Sequence, residues 1–178
     1  MELLDVLNEN GEPTGKALPI SEIYDNGYWH RSVHVWIINS NNELLMQRRN
    51  PNKKTFPNMW AISVAGHVRM RETSIGAAKR ELAEEIDYIA SDEELEHLFT
   101  IRREQPYKEG TIRVIDDVFL LKLDVDVDHT LLQVEELTDL KYIYFEYLEK
   151  LLLQKDETYV PYCEEHKLLF EELRKRFK

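Results

Sequence analysis

The alternation of apolar and polar side chains predicts several short strands and two strongly periodic helices. Leu3 to Leu7 reads as a strand closed by the turn pair Asn10-Gly11, and a loop follows through Pro13, Gly15 and Pro19. Ser32 to Ile38 is rich in Val, Ile and Trp. Asn39-Ser40-Asn41-Asn42 can turn, and Glu43 to Arg49 alternates as a strand with one wet face should. Asn50 to Asn58 is a loop, Ala61 to Ala65 a short strand, and a turn containing Gly66 leads to a helix from about Thr73 to Ile86, capped by Thr73 or Ser74. Leu95 to Glu104 and Ile112 to Leu123 are two more strands, joined by a loop with Pro106 and Gly110. Asp124 to His129 is a polar loop, Tyr142 to Phe145 a last strand, and Tyr147 to Leu153 a short helix. Pro161 stands where a final helix can begin, and Leu169, Phe170, Leu173 and Phe177 recur at helical spacing up to its end. This order predicts an α+β fold or a sheet sandwiched between helices.

At 178 residues, 43% of them hydrophobic, the chain suits one domain: 1–27 an N-terminal strand and loop, 28–148 the core, 149–178 a helical C-terminal part. Formal charge is −11, from 34 acidic and 23 basic side chains, which disfavours a nucleic-acid polymer and requires local cations for any anionic ligand. The single cysteine, Cys163, cannot form an internal disulfide. Neither a basic start with an apolar run nor eighteen consecutive apolar residues occurs, so the expectation is a cytoplasmic protein with no membrane partner. Oligomeric state is left open, a homodimer included.

Within the central helix, Ile75, Ala78, Leu82 and Ile86 form the stripe to be buried, while Glu81, Glu84 and Glu85 fall within one arc of about 100°. By itself such a trio is most often a solvated face. Like charges this close repel by a few tenths of a kcal/mol per pair unless a cation lies among them, and at least one pKa should rise without it. Hard divalent ions, Mg²⁺ above all, favour such oxygen ligands.

The neighbouring residues change the weight. Gly66, five residues, Glu72, seven residues, then Arg80-Glu81-Leu82-any-Glu84-Glu85 form a pattern whose chance occurrence is on the order of 10⁻⁶. It resembles the box of the Nudix hydrolase family. That resemblance implies a mixed β-sheet sandwich flanked by helices, a Mg²⁺ cofactor with Mn²⁺ as a substitute, and attack of water at phosphorus in a small-molecule diphosphate. By position, Glu84 and Glu85 would be principal metal ligands, and Glu81 a ligand or the base that orients water. Gly66 would offer its carbonyl to metal, Arg80 would brace the glutamates, and Glu72 would hold the loop or assist a second metal. Asp87 stands where the family has Gly beyond the helix, and Arg71 where relatives often have Gly.

Further segments resemble the family branch containing isopentenyl-diphosphate isomerase and its hydrolase cousins: Trp29-His30-Arg31, Leu44 to Arg49, Lys53 to Trp60 and Ser63 to His67. The isomerase needs a cysteine before the Gly-His pair, where this chain has Ala65, and a methyl group moves no proton. It also uses histidines and carboxylates for metal. His30 and His67 match in place, with Asp116 and Asp117 only a loose echo. A catalytically silent binding domain is a third reading, disfavoured because every box glutamate is present.

Substrate contacts would lie outside the box. Arg48, Arg49, Lys53, Lys54 and Arg69 could face phosphates, and Trp29, Trp36, Phe56, Trp60 and Tyr107 could stack on a base. His67 and one of the adjacent pair Asp116 and Asp117 could approach the ligand, with Asp117 the preferred candidate, since alternation lets only one face inward.

The Ala65 argument predicts that the protein does not interconvert isopentenyl and dimethylallyl diphosphates. Incubation in deuterated water should leave isopentenyl diphosphate unlabelled beyond buffer controls, and enzyme-dependent deuterium uptake would overturn the reading.

Overall fold

The computed structural model describes residues 2–53, 55–130, 132–133, 135–161 and 163–177. In chain order they form β1 (Leu3–Leu7), β2 (Pro13–Pro19), α1 (Ile20–Asn26), β3 (Trp29–Ile38), β4 (Glu43–Arg49), β5 (Trp60–Ala61), β6 (Val64–His67) and α2 (Ser74–Ile86). These are followed by β7 (Leu95–Tyr107), β8 (Gly110–Lys122), β9 (Leu137–Tyr144), α3 (Phe145–Leu153) and α4 (Glu164–Arg176).

β3 joins the sheet together. It runs parallel to β8 over its whole length, from Trp29↔Arg113 to Ile38↔Lys122, and antiparallel to β6 over Ser32 to Val35. It meets β4 only at Ile38↔Leu44, so β4, β5 and β9 form a wing attached at one corner. Alternation along β3 then divides the molecule. Val33, Val35 and Ile37 pack beneath α2 with Ala78, Leu82 and Ile86, while Trp36 and Ile38 join Phe145, Leu148, Leu169 and Phe170 beneath α3 and α4. The result is a mixed sheet between helices, as an α+β sandwich requires.

Several expectations are corrected. Pro13 to Pro19 is an edge strand, because only β1 needs its hydrogen bonds and prolines are tolerated at an edge. α1 follows at once and ends on Gly27 at φ +64°, a left-handed cap that the sequence reading passed over. Ala61 to Ala65 is two strands broken at Ile62 and Ser63, since the Ser63 hydroxyl turns inward, donating to the Leu45 carbonyl and accepting from the Ile37 N–H. Gly66 lies in β6 and not in a turn. The expected loop around Pro106 shrinks to Lys108 and Glu109, with Pro106 paired to Thr111.

α2 is the element closest to expectation. Thr73 accepts a hydrogen bond from the Gly76 N–H at 3.1 Å and caps its start, and Asp87 ends it at φ +56°. Arg71 also adopts φ +62°, so the two positions where the resemblance implies glycine are both left-handed. Thr73→Ala should therefore lower unfolding free energy by about 1 kcal/mol. Asp87→Gly should raise it by about 0.5 kcal/mol as the left-handed strain is relieved. Urea denaturation of the two variants checks both signs.

Candidate functional site

Between β6, α2, α4 and the ends of β7 and β8 lies a cavity of about 750 Å³. Its acidic end is built by the close approach of α2 to β6. A Cβ on Gly66 would stand 1.9 Å from Glu81 Oε1, so only glycine admits the glutamate there.

The three glutamates of one arc are not equally wet. Glu85 is buried, with Oε2 accepting from the Gln47 amide at 3.1 Å, and Glu84 is 40% exposed. Burial pushes the Glu85 carboxyl well above its ordinary pKa, with Glu81 and Glu136 adding repulsion, while the Arg49 guanidinium acts on it without forming a direct ion pair. Burial raises Glu81 as well, only partly offset by Arg80. Crowding was expected to raise a pKa; loss of water is the larger cause.

Arg80 ties this end together. Its Nε and Nη2 meet the two oxygens of Glu72 at 2.9 Å each, Nη2 also donates to the His67 carbonyl at 2.9 Å, and Nη1 reaches Glu81 at 2.6 Å. Glu72 accepts in addition from the Arg69 N–H at 2.9 Å. Burial would lift Glu72, but Arg80 and that N–H outweigh it and hold its pKa down. Arg69 donates from Nε to Glu2 at 2.7 Å and lies 3.5 Å from Glu84, so the N-terminal strand brings one more carboxylate to the rim.

A second cluster lines the other end. His34 in β3 sits beside Ala65, its partner in β6. Its Nδ1 is 2.7 Å from Glu165 in the first turn of α4, and its Nε2 is 3.7 Å from the wholly buried Asp116. Trp36 fixes the other Glu165 oxygen at 2.8 Å, while Ser32 and Arg103 bond to Asp116. Burial pulls the His34 pKa down, but Glu165 and Asp116 together hold it above the ordinary value. The ligand atoms of His34, Asp116 and Glu165 lie within 4.8 Å of one another, as a metal site requires. Arg103 and the His34 imidazole stand against these two buried carboxylates, so the cluster already has partners of its own.

The expected substrate residues divide. Arg49 and His67 line the cavity, His67 with Nε2 3.2 Å from the Tyr24 hydroxyl. Arg48 and Trp60 do not: alternation turns Arg48 away from Gln47 and Arg49, onto the Trp60 ring that Lys141 also covers at 4.0 Å. Asp117 is likewise elsewhere. It faces α2, bonded to Arg31 at 2.8 Å, Ser74 at 2.5 Å and Thr100 at 2.6 Å, and its neighbour Asp116 is the one that turns to the cavity side. Lys53 and Phe56 line the entrance, Lys53 paired with Glu136, while Lys54 lies outside the described residues. No local spacing marks His34, Arg103 and Glu165, whose positions depend on contacts 13 to 131 residues apart.

The model of the NUDIX domain matches residues 28–163. Nudix hydrolase 3 of Arabidopsis thaliana is 35% identical over 98% of this chain, and the chain spans only 24% of that protein's length. An uncharacterized Nudix hydrolase of Listeria monocytogenes is 34% identical, with 91% of this chain and 90% of that protein covered. Among solved structures, a Deinococcus radiodurans protein superposes with a TM-score of 0.67 at 22% identity, covering 99% of this chain and 100% of its own, which shows the fold. No described helix is long and apolar enough to cross a membrane.

His30, against His67 on the cavity wall, is almost wholly buried, and among the described residues its Nδ1 takes no partner. Burial, helped by His67, lowers its pKa from 6.5 to about 4. Unfolded chains therefore bind a proton in this window that the native state refuses. His30 contributes its full stability above pH 6.5 and loses it as pH falls, by about 3 kcal/mol at pH 4. His30→Gln should flatten the dependence of urea stability on pH between those limits by about that amount relative to the parent.

Proposed function

The chain belongs to the NUDIX domain family, and on that premise we propose that it is a Mg²⁺-dependent pyrophosphohydrolase that cleaves the diphosphate linkage of a nucleoside diphosphate derivative or similar small molecule. One observation carries this reading. Glu85 has lost its water with no ion pair in direct contact among the described residues and only Arg49 acting on it at longer range, beside Glu81 and at the end of a cavity large enough for such a ligand. The donors there are all oxygens, three carboxylates and the Gly66 carbonyl, a set suited to Mg²⁺ or Mn²⁺.

Glu81, Glu84 and Glu85, with the Gly66 carbonyl, would hold the ion. When bound, it supplies positive charge to phosphate oxygens and acidifies water for attack at phosphorus. The remaining work falls to the chain. Arg80 keeps Glu81 directed at Gly66 and fixes the loop through Glu72, whose depressed pKa keeps it ionised as the brace. Glu81, raised in pKa and only partly neutralised, is suited to accept a proton from the attacking water. Ala65 lines the cavity with a methyl group, which offers no proton-transfer function.

Glu84→Gln and Glu85→Gln should each lose at least about tenfold in rate on a panel of diphosphate compounds while still folding. Reaction in ¹⁸O-water should place the label on a phosphate product. Mg²⁺ should raise the melting temperature of the parent and do so much less for Glu85→Gln. Full activity in either variant would overturn the metal assignment.

A further inference from the structure

A diphosphate brings two or more negative charges into a cavity that already has six carboxylates on its wall, Glu2, Glu81, Glu84, Glu85, Glu136 and Glu165, against four permanent cations. Three of those cations have their groups engaged near the rim. Lys53 pairs with Glu136, Arg69 lies between Glu2 and Glu84, and Arg49 donates from Nε to the Thr55 carbonyl and from Nη2 to the Thr55 hydroxyl at 3.5 Å, with Glu136 and Glu85 the carboxylates that act on its charge.

The fourth, Arg103, is placed differently. Asp116 takes its Nε alone, and among the described residues its two terminal nitrogens meet no protein acceptor, with the side chain 34% exposed on the cavity wall. The anchoring carboxylate is itself immobilised. Asp116 is wholly buried and bonded by Ser32, with His34 on its remaining side, and His34 is clamped in turn by Glu165. A guanidinium held at Nε by a rigid partner presents a planar pair of N–H donors in a fixed direction, the geometry that matches two oxygens of a phosphate.

We propose that the Arg103 fork is a second oxyanion subsite, which binds the substrate's diphosphate from the side of the cavity opposite the α2 glutamates. The subsite rests on the diphosphate reading above. Arg103 is thus a substrate-binding residue, and Asp116, His34 and Glu165 are positioning residues that aim it. The carboxylates of Asp116 and Glu165 face the guanidinium and imidazole and hold both in place.

The test is calorimetric binding of methylenediphosphonate, a non-hydrolysable diphosphate, in saturating Mg²⁺, alongside titration with Mg²⁺ alone. Arg103→Gln should weaken methylenediphosphonate by at least about tenfold while Mg²⁺ affinity stays within about twofold. Arg103→Lys keeps the charge and the Asp116 partner but has no fork, and should also weaken binding. For a hydrolysed substrate, KM should rise much more than kcat falls. Asp116→Asn should give a similar loss that does not add to that of Arg103→Gln. If the parent binds methylenediphosphonate and folded Arg103→Gln and Arg103→Lys bind it equally well, the subsite is overturned and the proposed hydrolase stands. If the parent itself does not bind it, the subsite is overturned, and the hydrolase reading is decided by the panel of diphosphate compounds above.

Discussion

The contact on which the acidic end depends is the Arg80 guanidinium. Its donors reach the side chain of Glu72, that of Glu81 and the backbone of His67, so one cation joins the loop, the helix and the strand that must converge. Charge-assisted, bidentate bonds of this kind fix direction as well as distance. Without it, Glu81 would have no counter-ion against its burial, and the close seat of α2 on Gly66 would lose the bond that opposes like-charge repulsion. The burial of Glu85 is then imposed by the fold: a helix anchored by Ala78, Leu82 and Ile86 cannot turn that side chain back to water.

Much of this was legible before any coordinates. The helix from Thr73 to Ile86, its cap, its apolar stripe and the box spacing all rest on local periodicity, which the chain records directly. The β2 strand and α1 were not legible, because Pro13, Gly15 and Pro19 are also the residues of loops, and only the presence of β1 alongside makes that segment a strand. Gly66 was read as a turn for a similar reason. A glycine can be needed for its backbone or for its missing side chain, and here the nearness of Glu81 decides for the latter.

The far end of the cavity was harder still. Alternation predicts that adjacent aspartates face opposite ways, but which of Asp116 and Asp117 faces the cavity depends on the register of β8 against β3 and β7. Nor does His34 carry any local sign of Glu165, which is 131 residues away and arrives only when α4 packs. Groups defined by long-range packing leave no spacing to read.

The NUDIX model ends at residue 163, and α4 begins at Glu164. The far wall of the cavity is nevertheless mostly inside the matched residues, since His34, Arg103 and Asp116 precede residue 163 and Glu165 alone is brought by α4. The glutamates lie inside the shared domain, while Glu165, which secures His34, lies on a helix beyond it. A small shift of α4 would therefore be felt in the cavity through His34 and Trp36, the two side chains that hold Glu165, and not through the surroundings of the α2 glutamates.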